Sequence, residues 1–119
     1  MKSEAAVQAE VMMRLSEMGH RIFRNNNGAA VDQTGRHVRY GLGNVSQQVN
    51  ARMKSSDLIG IEKGTGRMIS IECKREGWKY KGTDREQAQL NWINLIKGMG
   101  GIGGFVSDVG QLEDLLTTD

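Results

Sequence analysis

ISIECKREG, residues 69–77, decides how this chain is read. Isoleucines alternate with polar side chains, the period of a strand, in which successive side chains point to opposite faces. Ile69, Ile71 and Cys73 therefore share a face suited to a core, while Ser70, Glu72 and Lys74 share the other. A carboxylate and an ammonium group two positions apart form a common surface pair, and alone they say little. The stretch before them adds weight. DLIGIE (57–62) and MISIECK (68–74) read as strands joined by the turn KGTG. Antiparallel pairing through that turn brings Asp57 to the end of the second strand, where Glu72 and Lys74 lie. Two carboxylates so close repel, and one takes up a proton unless a cation is shared between them. A divalent ion supplies that cation, and a lysine beside it can orient or deprotonate a water.

Upstream, residues 3–18 have Val7, Val11, Leu15 and Met18 at three- and four-residue spacing, with Ser3 as N-cap and Gly19 as stop. At ~100° per residue Glu4 falls inside this apolar arc and Glu10 outside it, so Glu4 is expected to aim inward as a third acid. The alternative is an acid in a first turn favoured by the helix dipole. RIFRNNNG is a strand followed by a turn. AAVDQTGRHVRYG is a hairpin centred on Gln33-Thr34-Gly35. Residues 43–56 are polar without a clear period and read as a loop carrying Arg52 and Lys54.

Downstream, REGWKYKGT is a basic connection, and Thr83 with Glu86 makes a capping box for a helix to about Met99. Gln87, in the first turn of that helix, could hydrogen-bond a metal-bound water, the lysine or a phosphate; it could equally be a surface residue. GGIGGFVSD is a last strand and VGQLEDLL a terminal helix. The expectation is one α/β domain over residues 1–119, a mixed sheet flanked by helices, in the order α-β-β-β-β-β-α-β-α.

Composition limits the chemistry. With 38% hydrophobic and 25% charged residues the chain is of ordinary globular make-up. No stretch approaches the ~20 apolar residues of a bilayer span, and MKSEAAVQAE lacks a secretory signal's apolar core, so the expected location is cytoplasmic. One cysteine and two histidines make a structural zinc site improbable, which leaves carboxylates and favours magnesium, manganese or calcium. The net charge of +2 permits nucleic-acid contact without arguing for it.

Taken in order, IFRNNNGAA, GRHVRYGLG, SSDLIGIE, ISIECKREG, REQAQLNWINLI and GGIGGFV resemble the virus-type replication–repair nuclease (VRR-NUC) domain of the PD-(D/E)xK superfamily, from roughly Glu4 to Phe105. The resemblance implies a restriction-endonuclease-like core that hydrolyses DNA phosphodiesters with Mg2+ or Mn2+ and leaves 5′-phosphates. It implies metal ligation by Glu4, Asp57, Glu72 and the Cys73 carbonyl, with Lys74 catalytic and Gln87 as the helix glutamine. Small phage members of similar length imply a homodimer acting on branched DNA such as four-way (Holliday) junctions, where two sites related by a two-fold axis suit paired incisions. Ser56 stands where the superfamily name expects proline, the alignment between Gly43 and Ser55 is loose, and Glu10 is the alternative to Glu4.

Expected DNA contacts are Arg24, Asn26, Arg36, Arg39, Arg75, Lys79 and Lys81, each weighed against a solvated surface role. Trp78 and Tyr80 could stack on an unpaired base or pack on the sheet. The rival readings are a nicking or end-processing nuclease, a catalytically silent DNA-binding or assembly module, and a structural domain with accidental acids.

Overall fold

The computed structural model describes residues 1–117. The first helix, α1 (Glu4–Glu17), begins where Ser3 Oγ accepts from the Ala6 amide, and it ends at Gly19, whose φ of 93° favours glycine. Four strands form the main sheet: β1 (Arg21–Arg24), β4 (Leu58–Ile61), β5 (Met68–Cys73) and β6 (Ile102–Val106). Their spatial order is β1-β4-β5-β6, antiparallel except for β5 and β6, which run parallel across the intervening helix α3 (Asp84–Gly98). Between β1 and β4 lie a separate hairpin, β2 (Gly28–Val31) with β3 (His37–Tyr40), and a short helix, α2 (Gln47–Arg52). A single 3-10 turn, Val109–Gln111, leads into α4 (Leu112–Thr117). This is the mixed α/β architecture expected.

The two faces of β5 are both covered. Ile69, Ile71 and Cys73 are fully buried with Val7, Val11 and Leu15 of α1, Leu58, Val106 and Leu112. On the opposite face Trp92, Ile93 and Ile96 of α3 pack with Ile59, Met68 and Phe105. Trp92 Nε1 donates to Ser70 Oγ at 2.7 Å, which satisfies two polar groups under the helix. The Thr83–Glu86 capping box is present at the start of α3.

The loop expected over residues 43–56 is corrected: it contains α2, capped by Ser46 Oγ accepting from the Val49 amide at 3.1 Å. Six residues are under two turns, too few for an apolar period to declare itself. Lys54 N–H donates to the Ala88 carbonyl at 3.0 Å and Asn91 Nδ2 to the Arg52 carbonyl at 2.8 Å, fastening this segment to α3.

Two asparagines fix the hairpin's base. Asn25 Nδ2 donates to Ser55 Oγ and to the Ser56 carbonyl, and Asn27 Nδ2 donates to the Ser55 carbonyl. Among the described residues no helix is long and apolar enough to cross a membrane.

Close approach of β1 and β4 requires Gly60. A Cβ there would run into the Arg21 carbonyl oxygen and the Ile22 side chain. Gly60→Ala is expected to lower stability by about 1–3 kcal/mol, the usual cost of overpacking. Urea unfolding checks this, and an unchanged midpoint would contradict the β1–β4 packing.

Candidate active site

The β4–β5 register pairs Leu58 with Ile71, so the next pair along places Asp57 opposite Glu72. The two residues are tied across the strands by their backbones. Asp57 N–H donates to Glu72 Oε2 at 3.0 Å, and Cys73 N–H donates to Asp57 Oδ2 at 3.1 Å. Both carboxylates lie on the face under α3, and Glu72 is only 3% exposed. Like charges directly opposite in a sheet destabilise it. Burial, then the charge of Asp57, pushes the Glu72 carboxyl up to about 8. Asp57 is also raised, first by burial and then by the charge of Glu4, despite the Cys73 amide that favours its ionised form. Burial likewise pushes the Cys73 thiol up and leaves it protonated and inert.

Lys74 leans over this pair. Its Nζ is 4.0 Å from Glu72 Oε1 and donates to Gln89 Oε1 at 2.9 Å. Its outer side is walled by the rings of Trp78 and Phe105, with centroids at 5.5 and 5.8 Å from Nζ. Gln89 Nε2 in turn donates to Glu72 Oε1 at 2.8 Å. One buried amide thus holds the carboxylate and the ammonium group in fixed relation.

The bond to the lysine offered to Gln87 is made by Gln89, and Gln87 takes the surface position that was its alternative. Gln87 is exposed, donates to Asn91 Oδ1 at 3.0 Å and accepts from Tyr80 OH at 3.3 Å, away from Glu72 and Lys74. Two residues along a helix turn the side chain by roughly 200°, so the two glutamines cannot share a face. The signal was present in the spacing, because Gln89, Trp92, Ile93 and Ile96 follow i, i+3, i+4, i+7 and all four are buried.

Glu4 is exposed, so the expected inward aim of its side chain is corrected: it sits in the first turn of α1, where the helix surface is not yet covered. Its charge still reaches Asp57 and Glu72. Glu10 pairs instead with Lys2 at 2.9 Å. Of the two N-terminal acids, Glu4 is the one whose charge acts on Asp57 and Glu72.

Among the described residues no three His, Cys, Asp or Glu side chains form a group able to hold a metal alone. Two converging carboxylates nevertheless suit magnesium or manganese. Magnesium usually takes one or two protein carboxylates and completes its shell with water and substrate phosphate. Burial raises both carboxyls, and the charge of Asp57 raises Glu72 further; a shared cation offsets both costs, so this donor set fits a hard divalent ion.

These groups open onto a cleft of ≈ 400 Å³ whose walls include Asn26, Arg39, Lys54, Asp57, Glu72, Arg85 and Gln89. Of the expected DNA contacts, Arg39 and Asn26 line it. Arg24, Arg36, Arg75, Lys79 and Lys81 are exposed elsewhere on the surface, with Arg36 on a separate groove beside the hairpin. Lys54, named in the sequence only as part of a loop, and Arg85, not named there at all, also line the cleft; they come from segments far apart in the chain. Trp78 and Tyr80 pack on Phe105, with centroids at 5.0 and 5.8 Å, and the Trp78 indole donates to Glu86, so packing on the sheet occupies these rings. The hydroxyl of Ser56 is buried without a partner among the described residues, so no hydrogen bond of the site depends on it.

Comparison of the chain with protein-family models, curated proteins and solved structures gave no match.

Proposed function

We propose that this chain is a divalent-metal-dependent DNA endonuclease with a restriction-endonuclease-like PD-(D/E)xK core of the VRR-NUC kind. The observation that carries the reading is the cross-strand pair Asp57–Glu72, whose carboxylates accept from the amides of Cys73 and Asp57 respectively, with Lys74 beside them. A structural domain gains nothing from two facing carboxylates, Glu72 buried and Asp57 half-buried, both with raised protonation; a metal-dependent phosphodiesterase uses such a pair.

Asp57 and Glu72 would hold Mg2+ or Mn2+, with Glu4 and the Cys73 carbonyl as the further ligands that the resemblance implies. When bound, such an ion supplies positive charge at the scissile phosphate and makes a water more acidic. Lys74, fixed by Gln89, orients the attacking water through an Nζ donor and stabilises charge developing on the phosphate oxygens. Water's oxygen bonds to phosphorus and releases a proton to solvent, the bond from phosphorus to the 3′-oxygen breaks, and that oxygen takes a proton from solvent. The products carry a 5′-phosphate and a 3′-hydroxyl. A branched substrate such as a four-way junction and a homodimeric working form follow from the resemblance.

The test offers purified protein a four-way junction, a plain duplex, a flap and a single strand, with manganese or with chelator. Metal-dependent cutting, strongest on the junction, is expected. Absence of cutting on every substrate would reject the enzyme reading. A further prediction separates the two glutamines. Gln89→Ala is expected to slow cutting by about 10-fold or more, as loss of a group that positions Lys74, whereas Gln87→Ala stays within about 2-fold. Equal effects in single-turnover assays would contradict the bridging role of Gln89.

A further inference from the structure

Three cations line the same cleft as the carboxylates. Arg39 comes from β3, Lys54 from the segment after α2, and Arg85 from the first turn of α3. All three line the same cleft, and none takes part in an ion pair among the described residues.

Arg39 is held without being neutralised. Its guanidinium donates to Asn44 Oδ1 at 3.1 Å, and Asn44 is a buried amide whose Nδ2 donates to the carbonyls of Gly28 and Tyr40 at 2.8 and 2.9 Å. Lys54 is half-buried. Burial, followed by the charges of Arg85 and Arg39, holds its ammonium below the ordinary value. Arg85 sits at a helix N-terminus, where the dipole disfavours a positive charge. Each of these features costs stability in the free protein. An anion held between the three cations removes the repulsion, and oriented donors around a concave surface suit a phosphate.

We propose that Arg39, Lys54 and Arg85 form a phosphate subsite that binds an internal phosphodiester of the DNA chain beside the one that is cut. The inference rests on the nuclease reading for its ligand but on a different set of residues. The subsite would fix the register of the strand, so that the scissile group falls against Asp57, Glu72 and Lys74. Phosphate contacts of this kind position a chain without reading its bases.

The test is binding in chelator, where no cutting occurs, of labelled duplexes carrying either a 5′-hydroxyl or a 5′-phosphate, by fluorescence anisotropy across a salt series. Lys54→Gln and Arg85→Gln are each expected to weaken binding by about 10-fold on both duplexes and to reduce the slope of log K against log salt by about 1. Both variants should melt at or above the wild-type temperature, because each removes a charge repelled by the other two. Inorganic phosphate should raise the melting temperature of the wild type more than chloride of equal ionic strength, and this gain should disappear in the variants while a manganese-induced gain persists. Undiminished binding in both variants would overturn the subsite. A loss confined to the 5′-phosphorylated duplex would overturn it in favour of a terminal phosphate. Absence of manganese-dependent cutting by the wild type, with these binding losses intact, would reject the nuclease reading and leave the subsite standing.

Discussion

Lys74→Ala is expected to reduce metal-dependent cutting by about 10³-fold while leaving a folded protein. The size follows from removing a preorganised cationic donor beside the reacting phosphate, an effect generally of 10²- to 10³-fold or somewhat more. Most of the Lys74 side chain is covered, and its Nζ is bonded to Gln89 and lies over the rings of Trp78 and Phe105, so truncation also affects packing. The stability loss should be up to about 2 kcal/mol, because the released Glu72 can take up a proton rather than remain a bare buried charge. Single-turnover rates and a circular dichroism melt measure the two effects separately. Cutting that survives the substitution would point to a misassigned lysine, and gross unfolding would show that Lys74 acts as a structural residue.

Stability without metal should fall as pH rises from about 5 to about 8, which is the second large effect. Burial, then the charge of Asp57, raises the Glu72 carboxyl from its ordinary 4.5 to about 8, and Asp57 is shifted in the same direction. Within that window the native state retains a proton that the unfolded chain has lost, so raising the pH favours unfolding. The slope is at most about 1.4 kcal/mol per pH unit for one proton, giving about 2–3 kcal/mol over two units. Urea unfolding of wild type and Glu72→Gln in chelator isolates this effect, since every other titration is common to both. The variant should show a flatter profile and no metal-dependent cutting. Manganese should restore the wild type most strongly at the upper end of the window, by about 2–3 kcal/mol at a hundredfold excess over Kd. A wild-type profile that is flat, or identical to that of the variant, would contradict the coupling of the two carboxylates.

Much of this site was legible because it depends on short-range rules. The alternation in ISIECK set the faces of β5, and the four-residue turn KGTG set the β4–β5 register that brings Asp57 to Glu72. Ser3, Gly19, Thr83 and Glu86 marked helix ends through local hydrogen bonding. What escaped depends on how whole elements dock. Gln89 rather than Gln87 faces the sheet because Trp92, Ile93 and Ile96 fix the rotation of α3. Glu4 lies within the apolar arc of α1 yet is exposed, while Val7 and Val11 one and two turns on are buried. The three cleft cations come one each from β3, the α2 connection and α3, a meeting that no spacing in the chain announces.

The catalytic proposal stands on one small piece of geometry, the pairing of Asp57 with Glu72. Diffraction at the manganese absorption edge from crystals soaked in Mn2+ tests it most directly. The account predicts an anomalous peak between the carboxylates of Asp57 and Glu72, lost in Asp57→Asn. Bound manganese elsewhere, with these two carboxylates sharing only a proton, would contradict it.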